Sequence, residues 1–382
     1  MESICVFLIK FVFLIFLFKF LSWFQDFYTK CRDYFKRFFF EKELYYDIIS
    51  KPKKIDSLSF DSHGQILKDK IANKVYFNDN IMTLKELKID LKRNFDLYNH
   101  EYERYKYLFN SNILLYFNNK YYDTLKRNLN NADFFISRGL LSYLAGAFKD
   151  DRNIIFWAFH MDGVLVIVDE FDNSIKSINK LLINYIGLNF ENTTCSKKKE
   201  SYPNYSRLVK NWEQYKEVNI IDIFNPKYKR IRVAYFCEID AFDRKTGKPI
   251  ELKTKFRTPG NSNNLFDYKS AIATFFQCML GNVSEIVVGI KRENYIVDEI
   301  IKYQRDKLLN IHGVNKAIKN CCQQLCDNLK KIKRKMENNE YEGCIKIEGK
   351  NNCQELIFKY YSKYPNEFKK LFTSKFCKEF SI

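Results

Sequence analysis

The run from Tyr235 to Lys255, Y-F-C-E-I-D-A-F-D-R-K-T-G-K-P-I-E-L-K-T-K, constrains this chain more than any other stretch. Two short apolar segments flank a polar turn that holds Gly247 and Pro249. That is a β-hairpin pattern, with a turn longer than the tight two-residue kind. Side chains on a strand alternate faces. Glu238 and Asp240 therefore share a face of the first strand, and Glu251 and Lys253 share a face of the second. Antiparallel pairing would bring three carboxylates and one ammonium onto one patch. Acids that close raise one another's pKa, and a divalent cation removes that cost. Hard oxygen ligands at this density suit Mg²⁺ or Mn²⁺. A lysine beside such a cation can orient or help activate a water for attack on phosphorus. A lone E-x-D or E-x-K is ordinarily a solvated face; both, on consecutive strands, read as a site.

The chain has 382 residues and 46% hydrophobic content, enough for a core in one large domain. No Pro/Gly/Ser-rich linker and no internal repeat divides it. A net charge of +18 favours a polyanionic partner, nucleic acid or an anionic membrane face. Aromatics at 17% would offer stacking platforms for unpaired bases. Eleven cysteines without a C-x-x-C, and four scattered histidines, argue against a zinc site and fit a reducing compartment. Cys321, Cys322 and Cys326 fall at helical spacing, as core packing does.

The N-terminus reads separately. Ile4 to Phe24 is nearly all Phe, Leu, Ile and Val, interrupted by Lys10 and Lys19. It is long enough for a membrane anchor or a membrane-surface helix. No small-residue cleavage site follows, so it is a poor signal peptide. Lys30, Arg32, Lys36 and Arg37 come next and favour a cytosolic body. This gives a hydrophobic segment over 1–25, a basic aromatic linker over 26–56 and the main domain over 57–382.

Within that domain, Leu84 to Leu108 has helical periodicity, and 112–130 reads as another helix. Arg138 stands before Gly139 at the edge of an apolar helix, where the glycine leaves room for a phosphate. Ile154 to Phe159 and Val164 to Asp169 read as a hairpin joined by M-D-G. Ile175 to Ile186 reads as an amphipathic helix running into Gly187 to Glu191. Residues 195–229 read as polar and loop-rich, Asn261 to Asn264 as a turn. Phe266 to Leu280 reads as a helix with Gln277 as the polar residue in its most apolar stretch; a buried amide needs partners. Val283 to Ile290 reads as a strand, and Lys330 to Lys335 as a solvated basic helical face.

In order, these pieces resemble the DXO family of decapping nucleases, in the PD-(D/E)XK superfamily. S-R-G-L-L at Ser137 to Leu141 is similar to the family's W-R-G-x-L-T-K, with Ser137 at its tryptophan. G-L-N-F-E at Gly187 to Glu191 resembles G-Y-K-F-E. C-E-I-D at Cys237 to Asp240 resembles G-E-V-D, with Cys237 at the glycine. I-E-L-K-T at Ile250 to Thr254 nearly matches V-E-L-K-T. F-F-Q ending at Gln277, followed by L-G-N-V-S-E-I-V-V-G-I, resembles the family's W-W-A-Q helix and following strand. The family's lysine and tryptophan pair are replaced near Ala273, Thr274 and Phe275.

The resemblance implies an α+β fold, mixed α/β: one large domain with a central mixed β-sheet flanked by helices and a PD-(D/E)XK nuclease-like core. It implies that Glu191, Glu238, Asp240, Glu251 and the carbonyl of Leu252 would hold one or two Mg²⁺ or Mn²⁺ ions. Lys253 and Gln277 would position the attacking water and the scissile phosphate, and Arg138 would contact phosphate oxygens. The implied partners are RNA 5′ ends, and the implied reactions are pyrophosphate release, removal of incomplete or NAD caps, and 5′-to-3′ exonucleolysis. The implied place is nucleus or cytoplasm. The alternatives are a non-catalytic RNA 5′-end-binding protein on the same fold and a nuclease acting on DNA.

Overall fold

The structure is a computed structural model. It describes residues 45–98, 106–120, 123–148, 153–170, 177–198, 202–225, 228–256, 265–337 and 343–382, with Gln25 and Tyr28 besides. The chain divides into two compact units, Met1–Asp47 and Ile48–Ile382. The apolar segment at 4–24 and the turn expected at Asn261 to Asn264 lie outside the described residues. No helix among the described residues is long and apolar enough to cross a membrane.

The second unit is built on two mixed sheets. The first runs, edge to edge, β1 (Lys53–Ser59), β8 (Tyr215–Asn225), β9 (Tyr228–Glu238), β4 (Phe134–Ser137), β6 (Val164–Asp169), β5 (Ile154–Met161), β14 (Cys344–Lys350) and β15 (Glu355–Tyr361). The second runs β3 (Ile89–Asp90), β13 (Ile296–Gln304), β12 (Glu285–Lys291), β11 (Pro249–Phe256), β10 (Ala241–Phe242), β2 (Tyr76–Phe77) and β7 (Cys195–Ser196). β4 lies parallel to both its neighbours, and β11 is parallel to β12. The α+β class and the single large helix-flanked body are those expected.

The expected hairpin is β5–β6, with Met161 opposite Val164. Asp162 and Gly163 take φ of 44° and 78°, the left-handed pair a two-residue turn needs. Elsewhere the structure corrects the periodicity. Leu84 to Tyr98 holds no α-helix, only a 3-10 turn at Phe95–Leu97: Ile89 and Asp90 form β3, paired to Val297 and Ile296. The Asp90 carboxylate accepts the Lys92 N–H at 2.9 Å and ends that strand in a turn. Helix α1 spans Lys106–Asn118 and α2 spans Leu125–Asn128, so the helix read over 112–130 is broken. Thr124 caps the second piece by accepting the Arg127 N–H at 3.3 Å. The loop read over 195–229 contains most of the hairpin β8–β9. Its β8 was hidden because Lys216, Glu217 and Asn219, all buried, interrupt the apolar run.

Four more helices matter to the site: α3 (Arg138–Leu144), α4 (Ile178–Thr194), α5 (Tyr268–Leu280) and α6 (Val314–Glu337). One face of the eight-stranded sheet packs Phe135, Trp157, Phe159, Val166, Val218 and Phe236 against α1, α2 and the aromatic C-terminal stretch Phe368, Phe372 and Phe376. The seven-stranded sheet packs Ile250, Leu252, Val287 and Val297 against Ile186 and Phe190 of α4. Each such side chain, fully buried, contributes about 1.5–3 kcal/mol. Helix α5 touches both sheets. Buried Tyr235 of β9 donates to its Leu280 carbonyl at 2.6 Å, and its Gln277 reaches Glu251 of β11. Cys321, Cys322 and Cys326 are buried on α6, as core packing predicts.

Candidate active site

The chain changes sheets in the middle of the acid motif. β9 ends at Glu238, opposite Lys216 in the eight-stranded sheet. Ile239 donates its N–H to the Tyr215 carbonyl at 3.2 Å. β10 then starts at Ala241 in the other sheet, opposite Ile250. Asp240 sits in the crossing. The expected hairpin exists, but it is only two pairs long, Ala241 with Ile250 and Phe242 with Pro249. Its turn is closed by the Asp243 carboxylate, which accepts the Lys245 and Thr246 N–H groups at 3.1 and 2.6 Å. Gly247, at φ 65°, takes the left-handed position there.

Because β10 is so short, β11 beyond Ile250 has no strand on that edge among the described residues. Asp240 Oδ2 accepts the Leu252 N–H at 2.8 Å in place of a strand. A strand residue points its N–H and C=O to the same edge. The Leu252 carbonyl therefore faces the same side as the acids.

Glu251 is the centre of the arrangement, 1% exposed. Lys253 Nζ pairs with its Oε1, and Gln277 Nε2 donates to the same oxygen. Arg138 Nη1 lies 3.9 Å from its Oε2. Arg138 is the first residue of α3, where Ser137 caps the helix by accepting the Leu140 N–H at 3.2 Å. The guanidinium is turned inward beside Glu251, and its buried Nη1 has no hydrogen-bond partner, while the space at Gly139 is open, the nearest atom to a Cβ there being Ser137 Oγ at 4.0 Å. Gly281 leaves the space, since a Cβ there would lie 3.2 Å from that Nη1.

Glu191 comes from α4, whose sheet-facing side is set by Phe190. That ring lies over Gly289 of β12, where a Cβ would come within 2.6 Å of it. Burial pushes the Glu191 carboxyl well up, and the Asp240 and Glu238 charges add to it. Asp240 is pushed up to about 8, by burial first and then by Glu251, against Lys253, the Leu252 N–H and Arg138. Burial works against the Lys253 and Arg138 charges, but Glu251 more than restores them and both pKa values rise. Glu238 is half-buried, with its Oε2 3.8 Å from Lys216 Nζ.

All the predicted residues thus meet at one end of the two sheets. Arg138, Lys253 and Gln277 touch Glu251; Asp240 touches Leu252; Glu191, Glu238 and Asp240 line one recess. Among the described residues no three His, Cys, Asp or Glu side chains form a ready-made cation cage. Glu251 faces Lys253 and Gln277, and Glu238 faces Lys216. Even so, the donors fit a hard divalent cation: all are oxygens, and a cation would favour the ionised form of acids whose charge burial and mutual repulsion oppose. The sequence reading missed Lys216, buried beside Glu238, and the segment from Arg207 to Tyr215 that walls the recess. No motif marks either; the polar Lys216–Glu217 pair inside an otherwise apolar strand was the available signal.

The family model described as RAI1-like PD-(D/E)XK nuclease matches residues 50–377. The chain belongs to that family. It is accordingly a hydrolase of the PD-(D/E)XK nuclease kind. Similar solved structures agree on the fold. Candida albicans Rai1 in complex with pU5 and Mn²⁺ has a TM-score of 0.63 at 16% identity, over 86% of this chain and 94% of that one. Scheffersomyces stipitis Rai1 with 3′-NADP⁺ and calcium has a TM-score of 0.65 at 17% identity, over 88% and 96%. K. lactis Dxo1 in complex with manganese has a TM-score of 0.55 at 14% identity, over 80% and 90%. No curated protein matches the chain by sequence.

Proposed function

We propose that this chain is a divalent-metal-dependent nuclease of RNA 5′ ends. The observation that carries the reading is the convergence of Arg138, Lys253 and Gln277 on buried Glu251, beside acids of raised proton affinity. Glu191, Glu238, Asp240, Glu251 and the Leu252 carbonyl would hold one or two Mg²⁺ or Mn²⁺ ions. When bound, such an ion lowers the pKa of a coordinated water and neutralises charge developing at phosphorus. Lys253 and the Gln277 amide orient the water and the scissile phosphate. Arg138, with an N–H donor to spare, suits a phosphate oxygen. The manganese and pU5 bound by related Rai1 and Dxo1 support the choice of cation and polymer. The substrates proposed are capped, triphosphate, monophosphate and NAD-capped 5′ ends.

The test incubates the full chain with each of these RNAs, and with single-stranded DNA, in Mg²⁺, Mn²⁺ or EDTA, beside Glu251→Ala. Metal-dependent RNA products that vanish in the variant are expected. Binding without turnover would replace the reading with a non-catalytic one, and preference for DNA would replace the polymer. We further propose that residues 1–25 tether the nuclease unit, which begins at Ile48 and takes in the last part of the expected 26–56 linker, to a membrane surface, with the unit in the cytoplasm or nucleus. Fractionation of cells expressing the full chain and a chain lacking 1–25 tests this. Equal recovery of both in the soluble fraction removes the anchor.

A further inference from the structure

The recess that carries Glu191, Glu238 and Asp240 has a second wall, the segment from Arg207 to Tyr215. This wall is fixed, not a lid. Asn192, next to Glu191, donates its amide to the Arg207 carbonyl at 2.7 Å, and Asn204 N–H binds the Thr193 carbonyl at 3.0 Å. Asn73, buried, donates to the Gln214 carbonyl at 3.3 Å. Glu213 is held by Arg207 and Lys210 at 3.1 and 3.0 Å, so its charge is already balanced.

Two side-chain oxygens in this wall are buried without a donor, Asn211 Oδ1 and Gln214 Oε1. An unsatisfied buried acceptor costs about 1–3 kcal/mol, and a native protein leaves few of them. The Gln214 orientation is forced: its Nε2 donates to the Asn211 carbonyl at 2.9 Å, so turning the amide would set oxygen against oxygen. Asn211 Nδ2 lies 3.1 Å from the Tyr98 hydroxyl. Half-buried Val75, Leu188 and Val209 give the same recess an apolar side. Neutral amide acceptors beside an apolar side match the edge of a flat ring bearing N–H donors. A ribose diol is more commonly held by a carboxylate, and here Glu213 is engaged and the other acids belong to the proposed cation site.

We infer that Gln214 and Asn211 form a nucleobase subsite that accepts hydrogen bonds from the amino group of a base adjoining the scissile phosphate. The inference deepens the nuclease reading and rests on it for the location of the phosphate. The subsite selects amino-bearing bases over uracil and over purines lacking the amino group.

Binding tests it without turnover. Calorimetry with Ca²⁺ present would compare 5′-AMP and 5′-GMP with their amino-free analogues, purine riboside and inosine monophosphates. The native chain should bind at least one amino-bearing nucleotide about ten-fold more tightly than its analogue, the kind of discrimination left when a buried acceptor goes unpaired. Gln214→Leu should bring that ratio close to one. Melting curves report the fold of each variant. Asn211→Leu gives a second reading should Gln214→Leu fail to fold. Equal binding of the pairs by the native chain overturns the inference, and so does a preference that follows removal of the ribose hydroxyls instead. An inactive enzyme that still discriminates would sink the nuclease reading and leave the subsite standing.

Discussion

Two buried carboxylates in this molecule are each ringed by basic and polar groups, and they differ in one respect. Asp56 of β1 accepts from Lys70 at 2.8 Å, Lys120 at 2.7 Å, the Tyr116 hydroxyl at 2.8 Å and the Ser57 N–H at 2.8 Å. Burial opposes its charge, yet these bonds outweigh burial and hold its pKa below the ordinary value. Glu251 has three such neighbours, Lys253, Gln277 and Arg138, but its surroundings are unfinished. Arg138 keeps an unpartnered donor, and two nearby acids are pushed up instead of down. A closed network ties β1 to α1 and serves the fold. An open one retains donors and charge for something that is not part of the chain. Perturbed carboxylates that gather at one site are a functional signal for this reason.

The comparison breaks most sharply at Glu251. Glu251→Gln should lower RNA hydrolysis by about 10³-fold or more, measured as single-turnover product formation. It should change unfolding free energy by less than about 1 kcal/mol, because lost pairing is offset by relief of Asp240 and Glu191. Asp56→Asn should do the reverse, reducing stability by about 3 kcal/mol in urea titration while leaving the rate per folded molecule unchanged. A variant at Asp56 that is stable but inactive would contradict the division between the two networks. Gly289→Ala should cost about 1–3 kcal/mol, since the new methyl meets the Phe190 ring. It should also slow hydrolysis several-fold by displacing Glu191, and normal activity would show that Phe190 does not set that acid. The smallest effect is the pH dependence. The Asp56 pKa is depressed on folding, so its stabilisation is fully present above the ordinary carboxylate value and is lost as pH falls through the lower folded value. The stability gap between native chain and Asp56→Asn should therefore be flat near neutrality and close only in strong acid.

The acid motif, its lysine and the glutamine helix were legible because each occupies a short local pattern. Glu251 and Lys253 are two residues apart on one strand, and Gln277 is a polar residue in an apolar helix turn. The sheet crossing was not legible. Local alternation at Glu238 and Asp240 looks the same whether the strand continues in one sheet or leaves it, and the choice is made by Tyr215, on another strand, and by Ile250, across the turn. Strand β8 was lost for a related reason. Lys216, Glu217 and Asn219 are buried beside charged or polar neighbours, so hydrophobicity does not mark them. The inward turn of Arg138 depends on the space left by Gly281, which lies one helix and more than a hundred residues away. The helix misread near Leu84 shows the converse, where apolar spacing was right for a helix and turn chemistry at Asp90 decided otherwise.

Asp240 takes the place that a third rung of β10–β11 would occupy, holding the Leu252 N–H from outside the ladder. The hairpin thus stops where the site begins. A change in its Asp243 to Lys248 turn would disturb the turn's own bonds and leave the ladder standing, whereas one more pair of ladder residues would expel the carboxylate and seal the edge. In descendants of this sequence the two-rung ladder and the aspartate that ends it must be inherited together.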